Sequence, residues 1–221
     1  MRYTEDSSAC IPNPAMGTHG DTLTLRKPIL FIAALGIPAL LGGLYLSFLP
    51  TAQAREMAAA CRGMRFSPTN KRLGSVPTRA PDFTVQDHTG KMVKLSDYRG
   101  KTVLLRFWAS WCETCKAEQP SLEALAGDVD PDDVAVLAVA SDPDWEKVRQ
   151  KLPNGSNTEV LLDPPASADS VIGRVAERYG VEKVPESFLI DRDGMVRYYF
   201  VNKRDWRNAA TRTCLRSVLD S

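Results

Sequence analysis

Val103-Leu104-Leu105-Arg106-Phe107-Trp108-Ala109-Ser110-Trp111-Cys112-Glu113-Thr114-Cys115 runs from a nearly all-apolar segment straight into a Cys-x-x-Cys pair. An apolar run of this length reads as a strand buried on both faces, central in a sheet. The segment after it carries Leu122, Leu125 and Val129 near helical spacing. The two cysteines therefore fall between a strand and a helix. Thiol-disulfide exchange needs a thiolate that attacks a disulfide and a second thiol that resolves the mixed disulfide. Two intervening residues at a helix N-terminus put both sulfurs on one turn, where the helix dipole and free N–H groups lower the first thiol's pKa.

The other reading of Cys-x-x-Cys is half a metal site. Only His19 and His88 occur in 221 residues, and there is no second Cys-x-x-Cys. A four-ligand zinc site is hard to assemble from that inventory, so neither a metal nor a cofactor is expected. The net charge of +1, with no Lys/Arg run longer than two, argues against nucleic acid as a partner.

Upstream, residues 29–49 hold no charged side chain and match the roughly 20 apolar residues of a membrane-crossing helix. Arg26 and Lys27 precede the run, and the next charge is Arg55; this favours a cytoplasmic N-terminus. Ala52-Gln53-Ala54 offers a competing reading, a signal peptide with a small-x-small cleavage site, but the apolar run is longer than a usual signal core. Both readings export the C-terminal remainder of the chain. Residues 1–28 are expected to be a disordered cytoplasmic tail, 29–49 the transmembrane anchor, 50–79 a linker, and 80–221 the folded domain. The expected location is the inner membrane, single-pass, with the domain periplasmic.

Within that domain a hairpin is expected from Phe83 to Leu95 across Asp87–Gly90, with strands at 134–140 and 160–162. A short helix would be capped by Asp142, and another by Ser170, ending at Gly180. Ser187–Ile190 and Met195–Val201 form a second hairpin, and a last helix carries Trp206, Ala210, Cys214 and Val218. Strands alternating with helices predict an α/β sandwich around a mixed sheet.

The motif Phe107-Trp108-Ala109-Ser110-Trp111-Cys-x-x-Cys-Lys-x-Glu-x-Pro resembles the thioredoxin superfamily, and within it the exported, membrane-anchored TlpA, ResA and CcmG/DsbE group. The resemblance runs from about Pro81 to the C-terminus and includes Gly180–Asp191, similar to the segment around that group's cis-proline. Peroxiredoxins share the first hairpin pattern, but their Pro-x-x-x-Thr-x-x-Cys signature is absent. The resemblance implies a thioredoxin-like fold, Cys112 as the exposed attacking thiol, Cys115 as the buried resolving thiol, and Pro185 in a cis peptide beside them. Val184 would present its backbone to an extended substrate, with Trp111 and Glu186 flanking it and Glu113 between the cysteines. It also implies a protein-disulfide reductase of exported substrates such as apocytochrome c, recharged by a membrane electron donor. An oxidase or isomerase, or a non-redox peptide-binding module using the same groove, are the alternatives.

Two departures stand out. Thr114 occupies the place where the group often has proline. Arg106 stands where thioredoxins bury an aspartate that moves protons. A buried guanidinium needs a partner, and Glu113 and Glu186 are expected to supply it. Both carboxylates are also expected to disfavour the thiolate and so to make the domain a reductant. Of the remaining cysteines, Cys61 and Cys214 either pair, tying the linker to the last helix, or Cys214 is a small buried hydrophobe.

Overall fold

The computed structural model describes residues 69–152 and 154–219, together with residues 37, 40–45, 55, 59–61 and 67. The chain divides into two units, Met1–Pro50 and Thr51–Ser221. In the first, residue 37 and residues 40–45 are helical; most of the apolar run 29–49 and all of the tail 1–28 lie outside the described residues. Among the described residues no helix is long and apolar enough to cross a membrane.

The second unit is built on strands β1 (Thr69–Asn70), β2 (Gly74–Ser75), β3 (Thr78–Arg79), β4 (Thr84–Asp87), β5 (Met92–Lys94), β6 (Thr102–Trp108), β7 (Val134–Ala140), β8 (Glu159–Leu162), β9 (Glu186–Ile190) and β10 (Met195–Val201). Helices α1 (Glu113–Asp128), α2 (Trp145–Lys151), α3 (Arg174–Arg178) and α4 (Ala209–Leu219) complete it. Eight strands form one mixed sheet in the order β3-β10-β9-β6-β7-β8-β4-β5, while β1 and β2 pair separately. β6 runs parallel to β7 and antiparallel to β9, so it is central, and all seven of its residues are buried.

Alternation along β6 sorts the core into two layers. Val103, Leu105 and Phe107 face one layer with Tyr179, Phe188 and Ile190. Leu104 faces the other with Leu122, Leu125, Trp206, Cys214 and Val218. Phe107, Tyr179 and Phe188 meet with ring centroids 5.2–5.8 Å apart, an arrangement that adds to the burial of their area.

Five elements differ from the expectation. β1, β2 and β3 lie inside the stretch expected to be linker, and β3 pairs with β10 at the sheet edge. Each of these two-residue strands is too short to carry a period-2 signal, so sequence pattern passes over it. The short helix after β7 is capped by Asp144, whose side chain accepts from the Lys147 N–H, and not by Asp142. Helix α3 begins at Arg174, later than a Ser170 cap would give. The buried Asp163 carboxylate takes the N–H groups of Val175 and Ala176 at 2.9 Å each, so the cap comes from β8's end of the fold. Gly180, at φ +70°, ends α3 as expected.

Candidate active site: a disulfide at the start of α1

β6 ends at Trp108, at the C-terminal end of the central strand, and Ala109–Trp111 turn into α1. That turn is held from the side. Asp142, buried where β7 ends, accepts from the Ser110 N–H at 2.9 Å and from the Ser110 hydroxyl at 2.6 Å. Cys112 is the N-cap of α1, with the Cys115 N–H pointing at its sulfur at 3.0 Å. Cys112 and Cys115 are joined as a disulfide with Cα atoms 5.2 Å apart. Sulfur sits where the helix leaves N–H groups without intrahelical partners, the environment that stabilises a thiolate.

Across from the disulfide, Val184-Pro185 is a cis peptide, and the Val184 carbonyl oxygen is 3.5 Å from Cys112 Sγ. Trp111 remains 51% exposed beside the pair. It borders a groove of about 410 Å³ whose other walls include Pro143, Pro164, Pro165 and Val171. A larger cavity, between α2 and Asp87–His88, contains neither cysteine. The structure thus brings Cys112, Cys115, Trp111, Val184 and Pro185 together.

Glu113 and Glu186 are placed differently. Glu113 points into solvent on the first turn of α1, 3.9 Å from Lys116. Glu186 is paired in register with Phe107, so its side chain falls on the face of the sheet opposite Arg106. There it accepts a 2.6 Å hydrogen bond from the Tyr199 hydroxyl. Burial pushes its carboxyl above the usual range, partly opposed by that bond. Neither residue partners Arg106, which corrects the expected pairing. The guanidinium lies under α1, with Nε 2.8 Å from Glu118 Oε2 and both side chains shielded from water.

Two residues of this site were not assigned their part by the sequence: Glu118 had none, and Asp142 was expected to cap a helix instead. Glu118 stands three positions after Cys115, a spacing that shares a helix face. Asp142 directly follows an apolar strand and Ser141, at a strand end beside the helix start. Its long-range partner Ser110 carries no local signal.

A thioredoxin-like sheet with a Cys-x-x-Cys disulfide capping its first long helix defines a thiol-disulfide oxidoreductase. The chain belongs to the AhpC/TSA family, whose profile matches residues 76–199. It is 33% identical over 128 residues to the thiol-disulfide oxidoreductase ResA of Bacillus thuringiensis subsp. konkukian, covering 58% of this chain and 70% of that protein. Among solved structures it resembles a Chlorobium tepidum protein described as a thiol:disulfide interchange protein DsbE. That match has a TM-score of 0.56 at 32% identity, covering 64% of this chain and 96% of the other. The pneumococcal exposed lipoprotein thioredoxin of Streptococcus pneumoniae is similar at a TM-score of 0.50 and 30% identity, over 64% and 100% of the two chains.

Proposed function

We propose that the chain is a membrane-anchored reductase of disulfides in exported proteins, with Cys112 as attacking thiol and Cys115 as resolving thiol. The observation that carries this is the Cys112–Cys115 disulfide at the N-terminus of α1, with Cys112 against the Val184 carbonyl. In the reduced protein the Cys112 thiolate attacks one sulfur of the substrate disulfide and expels the other substrate sulfur as a thiolate, which takes up a proton. Cys115 loses its proton and attacks Cys112, releasing the second substrate thiolate and closing the Cys112–Cys115 disulfide. Two electrons pass to the substrate, so a dithiol donor must reduce the pair again. A donor in the same membrane meets that need.

Trp111 and the Val184 backbone border the pair and supply an apolar wall and an extended edge for the substrate segment. The apolar run 29–49 with Arg26 and Lys27 before it supports an anchor and an exported domain. The buried Cys61–Cys214 disulfide fits an oxidising compartment, as does the likeness to an exposed lipoprotein. The similarity to ResA and DsbE proteins supports a substrate with paired cysteines, such as apocytochrome c. The test is reduction of a disulfide-bonded cysteine-pair peptide by the full chain in detergent. Turnover with a dithiol donor, abolished in Cys112→Ala, is the expected result. Binding of the peptide without turnover would make the chain a peptide-binding module instead.

A further inference from the structure

Arg106 lies within a strand buried at every residue and is itself inaccessible to water. All three guanidinium nitrogens are used. Nε donates to Glu118 Oε2, Nη1 to Gln119 Oε1 and Nη2 to the Cys115 carbonyl, each at 2.8 Å. The second oxygen of Glu118 accepts from Trp206 Nε1 at 2.8 Å and from the Arg204 backbone N–H at 3.0 Å. Desolvating such a pair costs about as much as the attraction returns, so stability alone does not account for it.

Geometry suggests what it supplies. Cys115, Glu118 and Gln119 fall on one face of α1 at i, i+3 and i+4. The guanidinium holds the Cys115 carbonyl directly, while the carboxylate belongs to Glu118, three residues further along the helix from the cysteines. The cation is thus the member of the buried pair that bonds the backbone of a redox cysteine, and the anion belongs to the residue one turn on. Pro120 removes the N–H that would bond the Lys116 carbonyl, so the first turn has one fewer internal tie and Arg106 clamps it from below.

The other charged groups near the pair are solvated or bonded elsewhere. On α1, Glu113 and Lys116 are solvated, and Glu123 lies further down the helix, bonded to Gln119 and Asn157. From β9, Ser187 sits opposite Arg106 and Glu186 faces the other layer. β7 contributes Ala138. Asp142 is committed to Ser110, and beyond β10 Arg204 approaches through its backbone.

We propose that Arg106 is a positioning residue for the redox reaction: it fixes the first turn of α1 through the Cys115 carbonyl and, with Glu118, sets the cation of a buried charge pair against the backbone of a redox cysteine. The thiolates of the reduced form are thereby favoured. This rests on the reading of Cys112 and Cys115 as the redox pair.

The experiment equilibrates the full chain in detergent with glutathione and measures the pH dependence of Cys112 alkylation. Arg106→Met should shift the equilibrium at least about tenfold toward the disulfide, about 30 mV more reducing for a two-electron couple, and raise the Cys112 pKa. Glu118→Gln leaves the cation uncompensated and should shift both quantities the opposite way. Arg106→Lys, which keeps the charge, should stay within about threefold of the wild type on the same scale. A merely structural pair would show no such reversal of sign. Shifts in the same direction for Arg106→Met and Glu118→Gln, or no shift in either, overturn the proposal. Should Arg106→Met fail to fold, Glu118→Gln decides alone, and a shift toward the reducing side or none overturns it. Absence of a reversible Cys112–Cys115 disulfide in the wild type overturns the underlying redox reading, a result distinct from an unmoved potential.

Discussion

Cys61 is joined to Cys214 by a disulfide that spans 153 positions of sequence and brings their Cα atoms within 4.7 Å. Both are buried among Leu122, Phe200, Trp206 and Val218, so the segment entering the domain is fastened to its last helix. Cross-linking a loop this long removes much of the unfolded chain's freedom. The double variant Cys61→Ser with Cys214→Ser should therefore lose about 2–5 kcal/mol in urea unfolding, with most of the change in the midpoint. An unchanged midpoint, together with two free thiols from these positions in the denatured wild type, would show that the bond does not form.

Cys112 is the outer member of the other disulfide and Cys115 is the more deeply buried. After reduction, alkylation near neutral pH should modify Cys112 at least about tenfold faster than Cys115, because access and the helix N-terminus both favour it. Peptide mapping after a brief pulse reads the ratio. Preferential labelling of Cys115 would reverse the assignment of attacking and resolving thiols.

Glu186 provides a pH test of the opposite face of the sheet. Burial raises its folded-state pKa above the unfolded value. Its contribution to stability is therefore fully present below the unfolded pKa of about 4.3 and is lost as pH rises through the folded pKa. Asp163, also raised by burial, pulls in the same direction. Glu186→Gln keeps an acceptor for the Tyr199 hydroxyl and cannot ionise. It should melt higher than the wild type at pH 8 and the same at pH 4. A gap between the two proteins that widens toward acid pH contradicts this assignment.

Gly173 packs so close to Asp163 that an added Cβ would overlap both its carboxylate and its backbone carbonyl. That carboxylate caps α3. Gly173→Ala should cost about 1–3 kcal/mol, as overpacking does. Gly127→Ala, within α1 and met only by the Asn157 side chain at 3.3 Å, should be close to neutral because alanine also favours the helix. Equal melting temperatures for the two variants would remove the reason given for the glycine at 173.

The amino-acid order alone carried a large part of this protein. The apolar run 103–109, the Cys-x-x-Cys after it and the hairpins at 84–94 and 186–201 were legible because hydrophobic period and turn residues act over a few positions. The placement of both cysteines at a helix start followed from the same local reasoning. Contacts between distant segments were decided only by the tertiary structure. Arg106 announced that a partner must exist, yet the sequence reading put forward only Glu113 and Glu186, and the residue that met it was Glu118. Which one met it depended on the faces of β6 and α1: register sent Glu186 to the far side of the sheet, the first turn sent Glu113 into water, and helical spacing brought Glu118 beneath. Asp142 holding Ser110, Asp163 capping α3 and β3 completing the sheet edge have the same origin. Each joins groups far apart in the chain, and local pattern does not encode which of several compatible partners the packed layers bring together.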